Sequence, residues 1–91
     1  DYAPVIAYQW IASDKPFYEI AGFQLLARLF ANGQEPNERG INEFLDQAAV
    51  ALQGDNMGIK HAAANAVMRF CDFGEDFEKI ARGALKGIFE I

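Results

Sequence analysis

The side chains of this chain that could do chemistry are few. His61 is the single histidine and Cys71 the single cysteine among 91 residues. One imidazole without a second histidine or a CxxC pair cannot head a zinc centre. One cysteine makes no intrachain disulfide. Cys71 lies in an apolar helical turn, so it reads as a small buried hydrophobe rather than a nucleophile. There is no glycine-rich phosphate loop and no Ser/His/Asp arrangement. Glu43, Asp46, Glu78 and Glu90 fall on faces that read as solvated. No metal and no cofactor is expected. Binding chemistry remains: Lys15 and Lys60 near helix starts, His61 and Asn65 one helical turn apart, and the arginines Arg28 and Arg69. Basic groups beside helix N-termini can hold phosphate oxygens.

The elements that would position these residues repeat. The stretch from Asp14 to Gly33 returns 41 residues later as Asp55 to Gly74, with Asp14 matching Asp55, Ala21 matching Ala62, Arg28 matching Arg69 and Gly33 matching Gly74. A helical period of about 40–47 residues marks HEAT and armadillo arrays. The expected fold is therefore all-α, a HEAT/armadillo-like α-α superhelix (solenoid) of about five helices, with a compact bundle as the alternative.

In chain order, a first helix is expected over Ala3 to Ala12, apolar nearly all round, and so covered by something else: an upstream repeat segment or a second copy. Ser13 or Asp14 is expected to cap the second helix, which carries Pro16 in its first turn and stops at Gly33. It too is apolar on most sides. A loop over Gln34 to Asn37 leads to a third helix from Glu38 to Gln53. Its inner face holds Ile41, Phe44, Leu45, Ala48, Ala51 and Leu52. Gly54 ends it, and Asp55 or Asn56 caps a fourth helix ending near Asp72. That helix turns Ile59, Ala62, Ala63, Ala66, Val67 and Phe70 inward and leaves His61, Asn65, Arg69 and Asp72 as a polar stripe. The last helix begins at Glu75 or Asp76, with acids at its positive end. It runs to about residue 90, turns Phe77, Ile80, Ala81, Ala84 and Ile88 inward, and keeps its pattern to Ile91. Helix pairs thus span about 3–32 and 38–72, with a final helix at about 76–90, in one domain over 1–91.

Composition limits the function classes. About half the residues are apolar, and no run reaches the ~18 residues of a membrane span. No signal peptide is legible, and the lone cysteine fits a cytoplasmic setting. The missing initiator methionine and the apolar start at Asp1 fit a processed or truncated product. The net charge is −5. Proteins that bind nucleic acid by their overall field are usually basic, so any such contact must come from a local patch or from elsewhere in the protein. Inner helices line the concave surface of a solenoid. The 41-residue shift lays Ile20 on His61, Gln24 on Asn65 and Arg28 on Arg69 there. Arg28 and Arg69 read as structural arginines that pair with a carboxylate or cap carbonyls of a neighbouring repeat. Trp10 reads as core, with base stacking as the sharper alternative.

The segment Trp10-Ile11-Ala12-Ser13-Asp14, and Ile59-Lys60-His61-Ala62-Ala63-Ala64 within the fourth helix, resemble the C-terminal part of the bacterial DNA alkylation repair family. These are HEAT-like-repeat proteins that include alkylpurine DNA glycosylases. The resemblance spans nearly all of the chain. It implies an α-solenoid that cradles duplex DNA in its concave face, with an aromatic-and-aspartate pair in an upstream part of the family fold. It also implies a basic residue where this chain has Ile20, and a base-stacking aromatic near Asn65. Isoleucine neutralises no phosphate, and asparagine offers little stacking surface. The implied function is a non-catalytic DNA- or protein-binding module, with Lys15, Lys60, His61 and Asn65 as candidate DNA contacts. The alternatives are an active glycosylase whose aspartate lies upstream, and a protein-interaction scaffold with no DNA role.

Overall fold

Five helices make up the computed structural model, which describes residues 3–90: α1 (Ala3–Ile11), α2 (Pro16–Ala31), α3 (Glu38–Gln53), α4 (Met57–Cys71) and α5 (Glu75–Ala84). Among the described residues there is no strand, and no helix is long and apolar enough to cross a membrane. The expectation for Ile91 lies outside the described residues.

The helix boundaries follow from local chemistry. Asn37 and Asn56 each accept a hydrogen bond from the backbone N–H three residues on, at 2.8 Å from Gly40 and 3.0 Å from Ile59. Each thereby satisfies a donor that the first turn leaves free. Asn56 was one of the two expected caps, whereas Asn37 was read only as loop. At the end of α2, Gly33 takes φ of +84°. Its N–H donates to Phe30 O and that of Gln34 to Leu29 O, the paired bonds of a Schellman turn.

The start of α2 differs from expectation. Neither Ser13 nor Asp14 caps it. Lys15 occupies the cap position with no side-chain bond to the helix. Ser13 instead donates to Trp10 O at 2.7 Å and accepts from the Lys15 N–H at 3.3 Å, closing the turn behind α1. Asp14 sits at φ of +64°, a left-handed position that aspartate tolerates better than most residues. The end of α5 differs as well. The helix stops at Ala84, and Gly87 with φ of +81° turns the chain away. Its inward side carries half-buried Phe77 and buried Ala81, continued by buried Leu85 just past its end. Ile80, expected inside, is 45 % exposed, about a quarter turn from Ala81, and Ala84, also expected inside, is exposed at the last residue of the helix.

The helices pack as two antiparallel hairpins, α1–α2 and α3–α4, with α5 against α4 and α3. Helices α2 and α4 run parallel: Ile20 meets Gly58 at their N-terminal ends, and Phe30 meets Phe70 at their C-terminal ends. The smallest dimension is 19 Å, about two helix diameters. The radius of gyration is 11.7 Å, close to the ~12 Å of a compact domain this long.

The core is apolar throughout, with no buried polar or charged residue among those described. All six residues expected on the inner face of α4 are buried. On α3, Phe44, Leu45, Ala48 and Leu52 are buried, while Ile41 and Ala51 are half-buried. Two expectations change. Trp10 is not core but 37 % exposed, and α2 is open on one side, with Phe17 88 % exposed. In α1 only Ala7 and Ile11 are buried.

Candidate functional site

Of the four residues singled out in the sequence, His61 and Asn65 lie on the solvent side of the α2–α4 layer, and Lys15 and Lys60 lie near its N-terminal end. His61 and Asn65 are exposed one turn apart on α4. Gln24 and Arg28 are exposed one turn apart on α2. The parallel packing sets the two rows side by side. Lys15 is exposed at the start of α2, and Lys60 is half-buried in the first turns of α4. The N-terminal ends of both helices meet through Ile20 and Gly58, so both lysines stand at the same end of the layer, with Lys60 about 100° round α4 from His61. The Lys15 ammonium stands 5.6 Å from the Tyr18 ring centre, a cation–π distance.

Arg69 does not join this surface as a free charge. Its Nε is shielded from solvent and lies 3.1 Å from the Asp72 carboxylate, an ion pair without the alignment of a hydrogen bond. The pair borders a crevice of about 360 Å³ that also reaches Phe30 and Gly33 at the end of α2. Arg69 thus has a carboxylate partner, on the residue that caps the end of its own helix. Arg28, its counterpart in the repeat, makes no ion pair among the described residues, and neither do Lys15 and Lys60.

Sequence reading missed the apolar rim of this face. Phe17 and Met57, 88 % and 73 % exposed, stand in the first turns of α2 and α4. First-turn residues have no preceding turn to cover them, and that position was the available signal.

The opposite layer holds an open groove of about 820 Å³ between α1 and α3, lined by Val5, Tyr8, Ala12, Arg39, Glu43 and Asp46 among others. The Tyr8 hydroxyl straps its two walls by donating to the Gly40 carbonyl at 3.1 Å. Burial and, secondarily, the Glu43 carboxylate push that hydroxyl from its usual 10 up to about 12. Between those pH values the unfolded chain releases a proton that the folded chain keeps. The stability that Tyr8 contributes is therefore intact below pH ~10 and is lost as pH rises toward ~12. Urea unfolding at a series of alkaline pH values should show wild type losing stability more steeply than Tyr8→Phe. Equal slopes would contradict this.

Burial, with Glu78 and Asp72 nearby, raises the Cys71 thiol above its usual range against an opposing effect of Arg82. A thiol held protonated at neutral pH is a poor nucleophile. No group of three His, Cys, Asp or Glu side chains able to hold a metal ion occurs among the described residues. The arrangement offers unpaired cations, amides and an imidazole on or near a shallow two-helix surface.

Comparison with protein-family models, with curated proteins and with solved structures finds no match to this chain.

Proposed function

We propose that the chain is a HEAT-like helical-repeat module that binds without catalysing, and that its ligand is the phosphate backbone of duplex DNA held against the α2–α4 face. The repeat reading is supported by two hairpins whose second helices run parallel, in a chain whose sequence repeats at a 41-residue offset. One observation supports the DNA reading: Arg28 on this face, with Lys15 and Lys60 at its N-terminal end, makes no ion pair with any described carboxylate, and neither do the two lysines. Their charges are free for an external anion. The net charge of −5 sets the expected strength. Binding is weak and depends on salt, because only the local patch attracts DNA.

The test is duplex binding across a salt series. Each phosphate contact contributes about 0.9 to the slope of log affinity against log salt. Lys15→Ala combined with Lys60→Ala should lower that slope by about 2 and weaken binding at every DNA sequence alike. Absence of binding at low salt would remove the DNA reading. A protein-interaction scaffold is the second reading, favoured by the exposed Phe17 and Met57 on the rim of the same face.

A further inference from the structure

We propose that the groove between α1 and α3 receives a basic amphipathic helix of a partner protein, its apolar side against α1 and a lysine or arginine held where Glu43 and Asp46 meet the C-terminal end of α1. This does not rest on the DNA reading, which uses the opposite layer. The groove exists because α1 and α3 each pack on the second helix of their own hairpin and leave space between them. Its walls run from Val5 to Ala12 and from Arg39 to Asp46, each about two helical turns or ~10 Å. Its volume, about 820 Å³, falls within the range of preformed binding sites. The α1 wall is uncharged. Val5, Tyr8 and Ala12 recur at one-turn spacing as an apolar strip, with Val5 51 % exposed. The α3 wall carries Arg39, Glu43 and Asp46, all exposed. Arg39 and Glu43 stand one turn apart yet make no ion pair, the basic residue before the acidic one being the weaker order at this spacing. Asp46 makes no ion pair with a described residue either.

Charge complementarity selects the occupant. The bond from the Tyr8 hydroxyl to the Gly40 carbonyl sets the register of the two walls. Ala12, one turn further along α1, therefore stands beside the turn of α3 that carries Glu43 and Asp46. Helix α1 ends there. The Ser13 N–H donates to Trp10 O, and the carbonyl of Gln9, a residue of the groove wall, accepts no hydrogen bond from a described residue. The negative end of α1 and two carboxylates thus border one space, which favours a cation. The net charge of −5 adds to the same field. Arg39 lies ~10 Å away along α3 and leaves that end unneutralised. A helix is the shape that fits, because it presents apolar and basic residues on adjoining sides over two turns. A second copy of this chain, itself at −5, is disfavoured by the same charges.

The test is fluorescence anisotropy of a labelled amphipathic peptide, leucine and lysine at helical spacing, titrated with the protein at low salt. Saturable binding is expected, and a peptide with glutamate in place of lysine should not bind. Glu43→Gln combined with Asp46→Asn should weaken binding ~10-fold. Ala12→Lys should weaken it as well, because it puts a cation of the chain itself in the partner's place. Glu75→Gln combined with Asp76→Asn removes the same two charges from α5, where both are exposed, and should change the affinity far less. Circular dichroism checks that each variant is folded. No binding of the lysine peptide, or equal losses in the two double variants, overturns the proposal.

Discussion

Phe70→Ala should destabilise the fold more than any other single truncation, by about 3–5 kcal/mol, the usual range for a fully buried phenylalanine. The reason is its position as much as its size. Phe70 is wholly buried on α4. Its ring meets Phe30 of α2 at 5.9 Å, Phe44 of α3 at 5.4 Å and Phe77 of α5 at 5.2 Å. Three helices are thus tied to the fourth by one side chain. The contacts with Phe30 and Phe77 are edge-to-face, the geometry in which aromatic pairs gain most beyond their buried area. The cavity left by alanine would open between four helices, and no single helix could shift to close it. A domain this small has a total stability of only about 5–15 kcal/mol. Thermal unfolding followed by circular dichroism should show the midpoint falling by more than ~12 °C. A loss below ~1 kcal/mol would mean that the aromatic cluster is not what joins the helices.

Gly22→Ala should be the second large effect, and its sign is informative. In an ordinary helix interior this change stabilises by up to about 1 kcal/mol, because alanine is the better helix former. Here a Cβ would lie 2.7 Å from the Ala7 carbonyl oxygen and 2.7 Å from Ile11 Cγ1. The carbonyl belongs to the backbone of α1 and cannot rotate aside, so the two helices must separate. Overpacking of this kind costs about 1–3 kcal/mol and outweighs the propensity gain. Separation lifts α1 off α2. Trp10 rides on α1, and its emission should shift to the red in the variant. Gly83→Ala provides the contrast. An added methyl there meets nothing within 4 Å, so only the propensity term acts, and a gain of about 0.5 kcal/mol is expected near the end of α5. If Gly22→Ala stabilised the protein as Gly83→Ala does, the close α1–α2 crossing would be wrong.

These two sites also mark how far the sequence could be read. The inner face of α4 was legible because its alternatives were poor: Ala62, Ala63, Ala66 and Val67 recur at helical spacing, and only a tightly packed neighbour makes such a stripe useful. Helix α3 was legible from the contrast between its two faces. Where a helix is apolar all round, periodicity does not say which side is covered. That is why Trp10 and Tyr18 proved exposed while Ala7 and Ile11 lie inside. Ile80 was misplaced because α5 offers apolar residues in two overlapping registers, and the backbone turn at Gly87 favours the one ending in Leu85. The misreading at Ser13 and Asp14 has a local cause. Both residue types are good caps, but Ser13 is engaged in closing the turn after α1. Of the candidate site, the stripe of His61 and Asn65 beside Gln24 and Arg28 followed from the 41-residue shift. The exposed rim at Phe17 and Met57 did not, because exposure at a first turn depends on what stands above it in three dimensions.

The most direct test of the central claim is a backbone amide NMR titration of the chain with a short DNA duplex at low salt. The account predicts shifts confined to α2 and α4, centred on Gln24, Arg28, Lys60, His61 and Asn65, and reversed by added salt. Shifts confined to the α1–α3 groove around Tyr8 and Glu43, or no shifts at any duplex concentration, would contradict it.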